Sequence, residues 1–65
     1  MYKNKIRETR REQGITLMRL AELTGISAGY ICHLEKGTRK NPSAQMMEKI
    51  SLALNKSVHE VFFID

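Results

Sequence analysis

Apolar positions along this chain recur at helical spacing and fall into five short runs, each closed by a turn signal. The first segment runs from about Asn4 to Gln13, is rich in Arg, Lys and Glu around Ile6, and is followed by Gly14, a typical helix stop. Thr16 is placed to cap a second helix, Leu17 to Thr24, in which Leu17, Leu20, Ala21 and Thr24 share a face and Gly25 ends the run. Ser27 opens a third, Ala28 to Lys36, with an inward stripe of Tyr30, Ile31 and Leu34 and a stop at Gly37. After the polar loop Thr38 to Pro42, Ser43 opens a fourth, Ala44 to Leu54, with Met46, Met47, Ile50, Ala53 and Leu54 on its inward face. Asn55 suits the left-handed turn after it, and Ser57 caps a short fifth helix, Val58 to about Phe62. No sustained alternation and no Asn-Gly or Asp-Gly hairpin signal supports a strand. Helices this short cannot each bury a face alone. The pattern predicts an all-α, compact five-helix domain spanning residues 1–65.

Length sharpens this expectation. At 65 residues the chain forms one domain, with little room for a pocket of convergent polar groups. No Ser/His/Asp set or phosphate-cradling glycine loop occurs, so an enzyme is not expected. The single Cys32 has no partner for a disulfide or for metal-ligand spacing. Cys32 and His33, as helical neighbours, point in different directions, and with His59 they find no clear fourth ligand, so neither metal nor cofactor is expected. No apolar run approaches the roughly 18 residues of a membrane span, and no apolar signal segment follows the basic start Met1 to Lys5. A cytoplasmic protein is expected. The net charge of +4 is unevenly placed. Lys3, Lys5, Arg7, Arg10 and Arg11 crowd the first segment, and Lys36, Arg39 and Lys40 surround one loop, whereas the C-terminal third is weakly acidic. Such asymmetry favours a polyanion on one side of the molecule.

The stretch Leu17 to Lys36 carries the functional signal. A small Ala21 lets a second helix cross closely, Gly25 turns the chain within very few residues, and Ile31 and Leu34 anchor the following helix. The outer face of that helix is then free to enter a major groove. Around this core stand Ile6 and Arg10, Gly14-Ile15-Thr16, Leu20-Ala21-Glu22, Gly25-Ile26-Ser27, Tyr30-Ile31, Leu34-Glu35-Lys36-Gly37, Asn41-Pro42-Ser43, Leu54 and Ser57-Val58. In this ordered set the chain resembles the Cro/CI-type, or Xre-like, helix-turn-helix family of lambda-repressor-like domains. The run from Asn41 to His59 is similar to the DNA-binding half of SinR-type repressors.

The resemblance implies a regulator of transcription, a repressor by preference, that binds operator DNA as a homodimer. It implies base readout by Ser27, Ala28, Gly29, Cys32 and His33, and backbone contact by Thr16, Leu17 and Met18. Phosphate contact is further expected of Arg10, Lys36, Arg39, Lys40 and Asn41. Arg10 and Glu35 match positions that pair within the fold, and Glu35, beside Leu34 and one turn from Ile31, needs a partner if buried. Departures are also visible. Leu17 replaces a common Gln, and Ala28 and Gly29 are small where Arg, Gln or Asn often make bidentate base contacts. Either readout leans on His33, Ser27, the Ala28 methyl and DNA shape, or small residues let the helix approach closely. Val58, Val61 and Phe62 supply an inward face, which leaves Phe63 and Ile64 surplus, as is Tyr2; Phe62, Phe63 and Ile64 are the expected dimer contact. The alternatives are an interaction module that has lost DNA reading, which Ala28 and Gly29 would suit, and the antitoxin of a toxin–antitoxin pair.

Overall fold

The computed structural model describes residues 4–39 and 41–62. Five helices follow in order: α1 (Ile6–Glu12), α2 (Leu17–Thr24), α3 (Ala28–Lys36), α4 (Ala44–Ala53) and α5 (Val58–Phe62). Among the described residues there is no strand.

Local chemistry explains the helix starts. Thr16, Ser27 and Ser43 sit in extended backbone, and each hydroxyl accepts from the amide three residues on: Arg19 at 3.0 Å, Tyr30 at 3.2 Å and Met46 at 3.1 Å. Ahead of α5, Ser57 and Glu60 form a reciprocal capping box. The Glu60 amide donates to Ser57 Oγ at 3.1 Å, and the Ser57 amide donates to Glu60 Oε1 at 2.8 Å. The first helix begins two residues later than expected because Asn4 turns its side chain to other work. Its Oδ1 accepts from the Ile6 amide at 3.0 Å and its Nδ2 donates to the Leu34 carbonyl at 3.0 Å.

One turn places the third helix. Gly25 adopts φ 75°, a left-handed conformation that penalises a Cβ by its backbone alone, since open space surrounds the position. The buried Thr24 hydroxyl donates to the Leu20 carbonyl at 2.8 Å and accepts from the Ile26 amide at 3.1 Å, which fixes the bend between α2 and α3. After α4, Asn55 takes φ 58°, the conformation its residue type tolerates best after glycine.

One core joins the elements. Ile6, Leu20, Ile26, Ile31, Leu34, Ile50, Leu54, Val61 and Phe62 are buried together, with Ile15, Leu17, Ala21, Tyr30, Met46, Met47, Ala53 and Val58 packed around them. Helix α2 packs on both α3 and α4, while α5 packs on α4 and α1. Chain closure is reinforced at the first helix: the Lys5 amide donates to the Val61 carbonyl at 2.8 Å, and Gln13 Nε2 donates to the Leu54 carbonyl at 2.6 Å. Phe62 is only 3% exposed and belongs to this core, so its expected place in a dimer contact is corrected. Its side chain already fills the space between helices. Phe63, Ile64 and Tyr2 lie outside the described residues.

Candidate nucleic-acid interface

Helix α3 has two opposed faces. Ile31 and Leu34 on the inner face are fully buried, and the carboxylate of Glu35 is nearly so, at 1% exposure. Two arginines from α1 meet that carboxylate. Arg10 Nε donates to Glu35 Oε2 at 2.9 Å and its Nη2 to Oε1 at 3.3 Å, while Arg7 Nε donates to Oε1 at 3.2 Å. Arg10 Nη1 donates to the Ile15 carbonyl at 3.0 Å. A guanidinium presents its donors in a fixed fork, and here that fork is engaged inside the fold. The phosphate contact expected of Arg10 is therefore corrected: its side chain is 12% exposed and turned inward. Arg7, half-exposed on the same carboxylate, was not singled out from sequence; it lies 28 positions from Glu35, too far for any local spacing rule to find.

The outer face carries Ser27, Gly29 and His33, all exposed, with Ala28 and Cys32 half-buried between them. They follow the i, i+4 rows of one helical side. Gly29 has nothing within 4 Å of an added Cβ, so this face is open at its centre. Ser27 has a second duty, since its hydroxyl caps α3. At the start of α2, Thr16 and Met18 are exposed and Leu17 is half-buried against the core.

The loop after α3 is tied back to the helix. Gly37 turns at φ 80°, and the amides of Thr38 and Arg39 both donate to the His33 carbonyl at 3.1 Å. Thr38 Oγ1 lies 2.9 Å from His33 Nδ1 and donates to the His33 carbonyl at 3.2 Å. The Arg39 guanidinium sits 5.1 Å from the centroid of the Tyr30 ring, a cation–π contact that holds the charge beside α3. Lys36, Arg39 and Asn41 are exposed, and Lys40 lies outside the described residues. Neither Thr38 nor Tyr30 was marked as a site residue from sequence. Their roles depend on the chain doubling back at Gly37, which no helical spacing reveals.

Among the described residues no group of His, Cys, Asp or Glu is arranged to hold a metal ion, and no helix is long and apolar enough to cross a membrane.

A short helix leaving a glycine turn to present one open face defines a helix-turn-helix protein, and residues 6–61 match the helix-turn-helix family model; the chain belongs to this family. It is 39% identical over 59 residues to the HTH-type transcriptional regulator SinR of Bacillus subtilis, covering 91% of this chain and 53% of that protein. The chain thus spans about half the length of that relative. It is also 39% identical over 61 residues to an uncharacterized HTH-type transcriptional regulator of Methanothermobacter thermautotrophicus, covering 92% of this chain and 87% of that one. The fold is similar to the master regulator for biofilm formation SinR in its crystal structure with DNA. The TM-score is 0.81 at 40% identity, over 85% of this chain and 87% of that one. It is likewise similar to a SinR protein/SinI protein complex, with a TM-score of 0.80 over 85% of this chain and 53% of that one.

Proposed function

We propose that this chain is the DNA-binding unit of a transcription regulator, a repressor by preference, that lays the outer face of α3 into the major groove of an operator. The observation that carries the reading is the contrast across α3: an open, shallow outer face backed by an inner face fixed through Ile31, Leu34 and the Glu35 ion pairs. Its likeness to a SinR chain solved with DNA supports the same placement. Ser27, Ala28, Gly29, Cys32 and His33 meet base edges in this reading. Lys36, Arg39, Lys40 and Asn41 hold phosphate on one flank. The first turn of α2, at Thr16, Leu17 and Met18, holds it on the other, where helix geometry leaves amides without intrahelical acceptors. The small side chains of Ala28 and Gly29 favour close approach, with specificity shared between His33 and the shape of the duplex.

The protein acts in the cytosol as a homodimer on a two-fold operator in this reading. Half-sites would lie one helical turn, about 34 Å, apart. Selection of bound sequences from a random duplex pool tests the proposal. A palindromic site bound by two chains, with affinity falling steeply as salt rises, is the expected result. Each phosphate contact adds about −0.9 to the log–log salt slope, so Lys36→Ala and Arg39→Ala should each flatten it by nearly one. An enriched pool without a common sequence, or an affinity insensitive to salt, would overturn the reading.

A further inference from the structure

We infer that Tyr30 is a positioning residue for DNA binding: its ring holds the Arg39 guanidinium at the flank of α3, with the charge intact and the N–H donors unspent, ready for a backbone phosphate at the edge of the groove. The inference rests on the proposed docking of α3 and names how one phosphate contact is prepared before the duplex arrives. Tyr30 stands on the border between the two faces of α3. One turn on, its neighbours are His33 on the outer face and Leu34 on the buried one. Tyr30 is half-buried and packs against the core, which gives a fixed surface at that border. The Arg39 guanidinium lies over this ring, 5.1 Å from its centroid. The backbone brings it there: the turn at Gly37 reverses the chain, and the Arg39 amide donates to the His33 carbonyl at 3.1 Å.

What a partner does to the guanidinium decides what it can do next. A carboxylate neutralises the charge and occupies the fork of donors, as Glu35 does to Arg10. An aromatic face attracts the cation through its quadrupole and leaves both the net charge and the hydrogen-bonding capacity in place. Among the described residues the Arg39 side chain makes no hydrogen bond and no ion pair, so its donors are available to phosphate oxygens. A planar guanidinium can stack on a ring and donate from its edge at the same time. An arginine side chain in water samples many rotamers, and ordering one at an interface costs affinity. A ring that already holds the guanidinium beside α3 removes part of that cost.

A double-mutant cycle on duplex affinity tests this, with a mixed-sequence duplex as the probe because phosphate contact is independent of sequence. The variants are Tyr30→Leu, Tyr30→Phe, Arg39→Ala and the pair Tyr30→Leu with Arg39→Ala, each shown by urea unfolding to be folded under the binding conditions. With Arg39 present, Tyr30→Leu should weaken binding about twofold to fivefold, the worth of an exposed cation–π contact, and Tyr30→Phe, which keeps the ring face, should bind as wild type. In the Arg39→Ala background, Tyr30→Leu should leave affinity unchanged. An equal loss in both backgrounds overturns the inference by assigning Tyr30 to packing or to a DNA contact of its own, as does a loss in Tyr30→Phe. Tighter binding by Tyr30→Leu also overturns it, because the ring would then hold Arg39 away from the duplex. In the wild type, the Arg39 side-chain protons should show the upfield ring-current shift of a group over an aromatic face and keep it on the duplex; its absence in either state overturns the inference. Arg39→Ala binding as tightly as wild type removes the phosphate contact, and the inference with it, while leaving base readout by α3 standing. A chain that binds no duplex overturns the proposed function itself, and this inference with it.

Discussion

The two faces of α3 use opposite chemistry within one nine-residue helix. On the inner side a buried carboxylate, Glu35, is held by Arg10 and Arg7 and flanked by fully buried Ile31 and Leu34. On the outer side the residues are small or neutral: Ser27, Ala28, Gly29, Cys32 and His33. Strong, directional interactions fix where the helix sits, while the face proposed to meet DNA stays open. A buried ion pair adds little net stability over an apolar substitute, but losing one member is costly. Its use here is to set the position of α3 against α1. Positioning matters for a reader of base edges, whose hydrogen bonds are lost once donor and acceptor are displaced by well over half an ångström or badly misaligned.

The largest effect should come from breaking the inner face. Glu35→Ala leaves Arg10 without its carboxylate in a site it cannot easily leave. A loss of about 3 kcal/mol is expected, at the low end for a broken buried pair, because Arg7 can rehydrate and Arg10 keeps the Ile15 carbonyl. For a domain of this size that is a large share of total stability. Urea unfolding checks it, and a joint change of Arg10→Met and Glu35→Leu should restore most of the loss.

The outer face should show the reverse behaviour at Gly29. An added methyl meets nothing in the protein, and replacing a helix glycine is favourable, by less than the roughly 0.5–1 kcal/mol of a helix interior because Gly29 lies in the first turn. Gly29→Ala should therefore raise the melting temperature yet weaken binding to a selected operator, because the methyl would stand in the space that the proposed docking gives to the duplex. A stabilised variant with unchanged DNA affinity would show that the open centre of this face serves no contact.

His33→Ala should alter sequence preference with little change in stability, since the ring is exposed and its hydrogen bond goes to Thr38 in the loop after α3. Competition between selected and scrambled duplexes measures it. A uniform drop in affinity for both would place His33 on the phosphate backbone.

Smallest is the effect of pH at α5. The hydrogen bond from the Ser57 backbone amide, with that from the Ser57 side chain, holds the Glu60 carboxyl below its ordinary value. A carboxylate with a lowered folded-state pKa adds stability that is present above its unfolded pKa and is lost as pH falls through the folded one. Glu60→Gln should thus flatten the acid limb of the stability–pH curve slightly, without changing DNA binding at neutral pH.

Much of the fold is visible in the sequence because its punctuation is local. Thr16, Ser27 and Ser57, with Gly25 and Gly37, mark α2, α3 and α5 at the observed bounds. Helix α1 starts at Ile6 instead of Asn4 because Asn4 bonds across the molecule to Leu34, a contact 30 positions away. Helix α4 ends at Ala53, with Leu54 as its cap. The outer face of α3 is legible from periodicity once the turn at Gly25 is recognised. The pairing of Arg10 with Glu35 comes from the family resemblance and not from periodicity, and the second arginine at Glu35 comes from neither, because charge counts do not say which side of a helix a guanidinium takes. Phe62 teaches the same point from the apolar side. A surplus of hydrophobic residues is visible in the sequence, but which of them the core accepts depends on how α5 packs on α1 and α4.

The central claim is that duplex DNA meets the outer face of α3. Amide chemical-shift mapping of the ¹⁵N-labelled chain, titrated with a selected operator duplex, tests it most directly. The account predicts that the large changes fall on Ser27, Ala28, Gly29, Cys32 and His33, with smaller ones at Leu17, Met18, Arg39 and Asn41, and that α5 is little affected. Changes centred on α5 or on the exposed Leu52 end of α4, with the outer face of α3 unmoved, would contradict it.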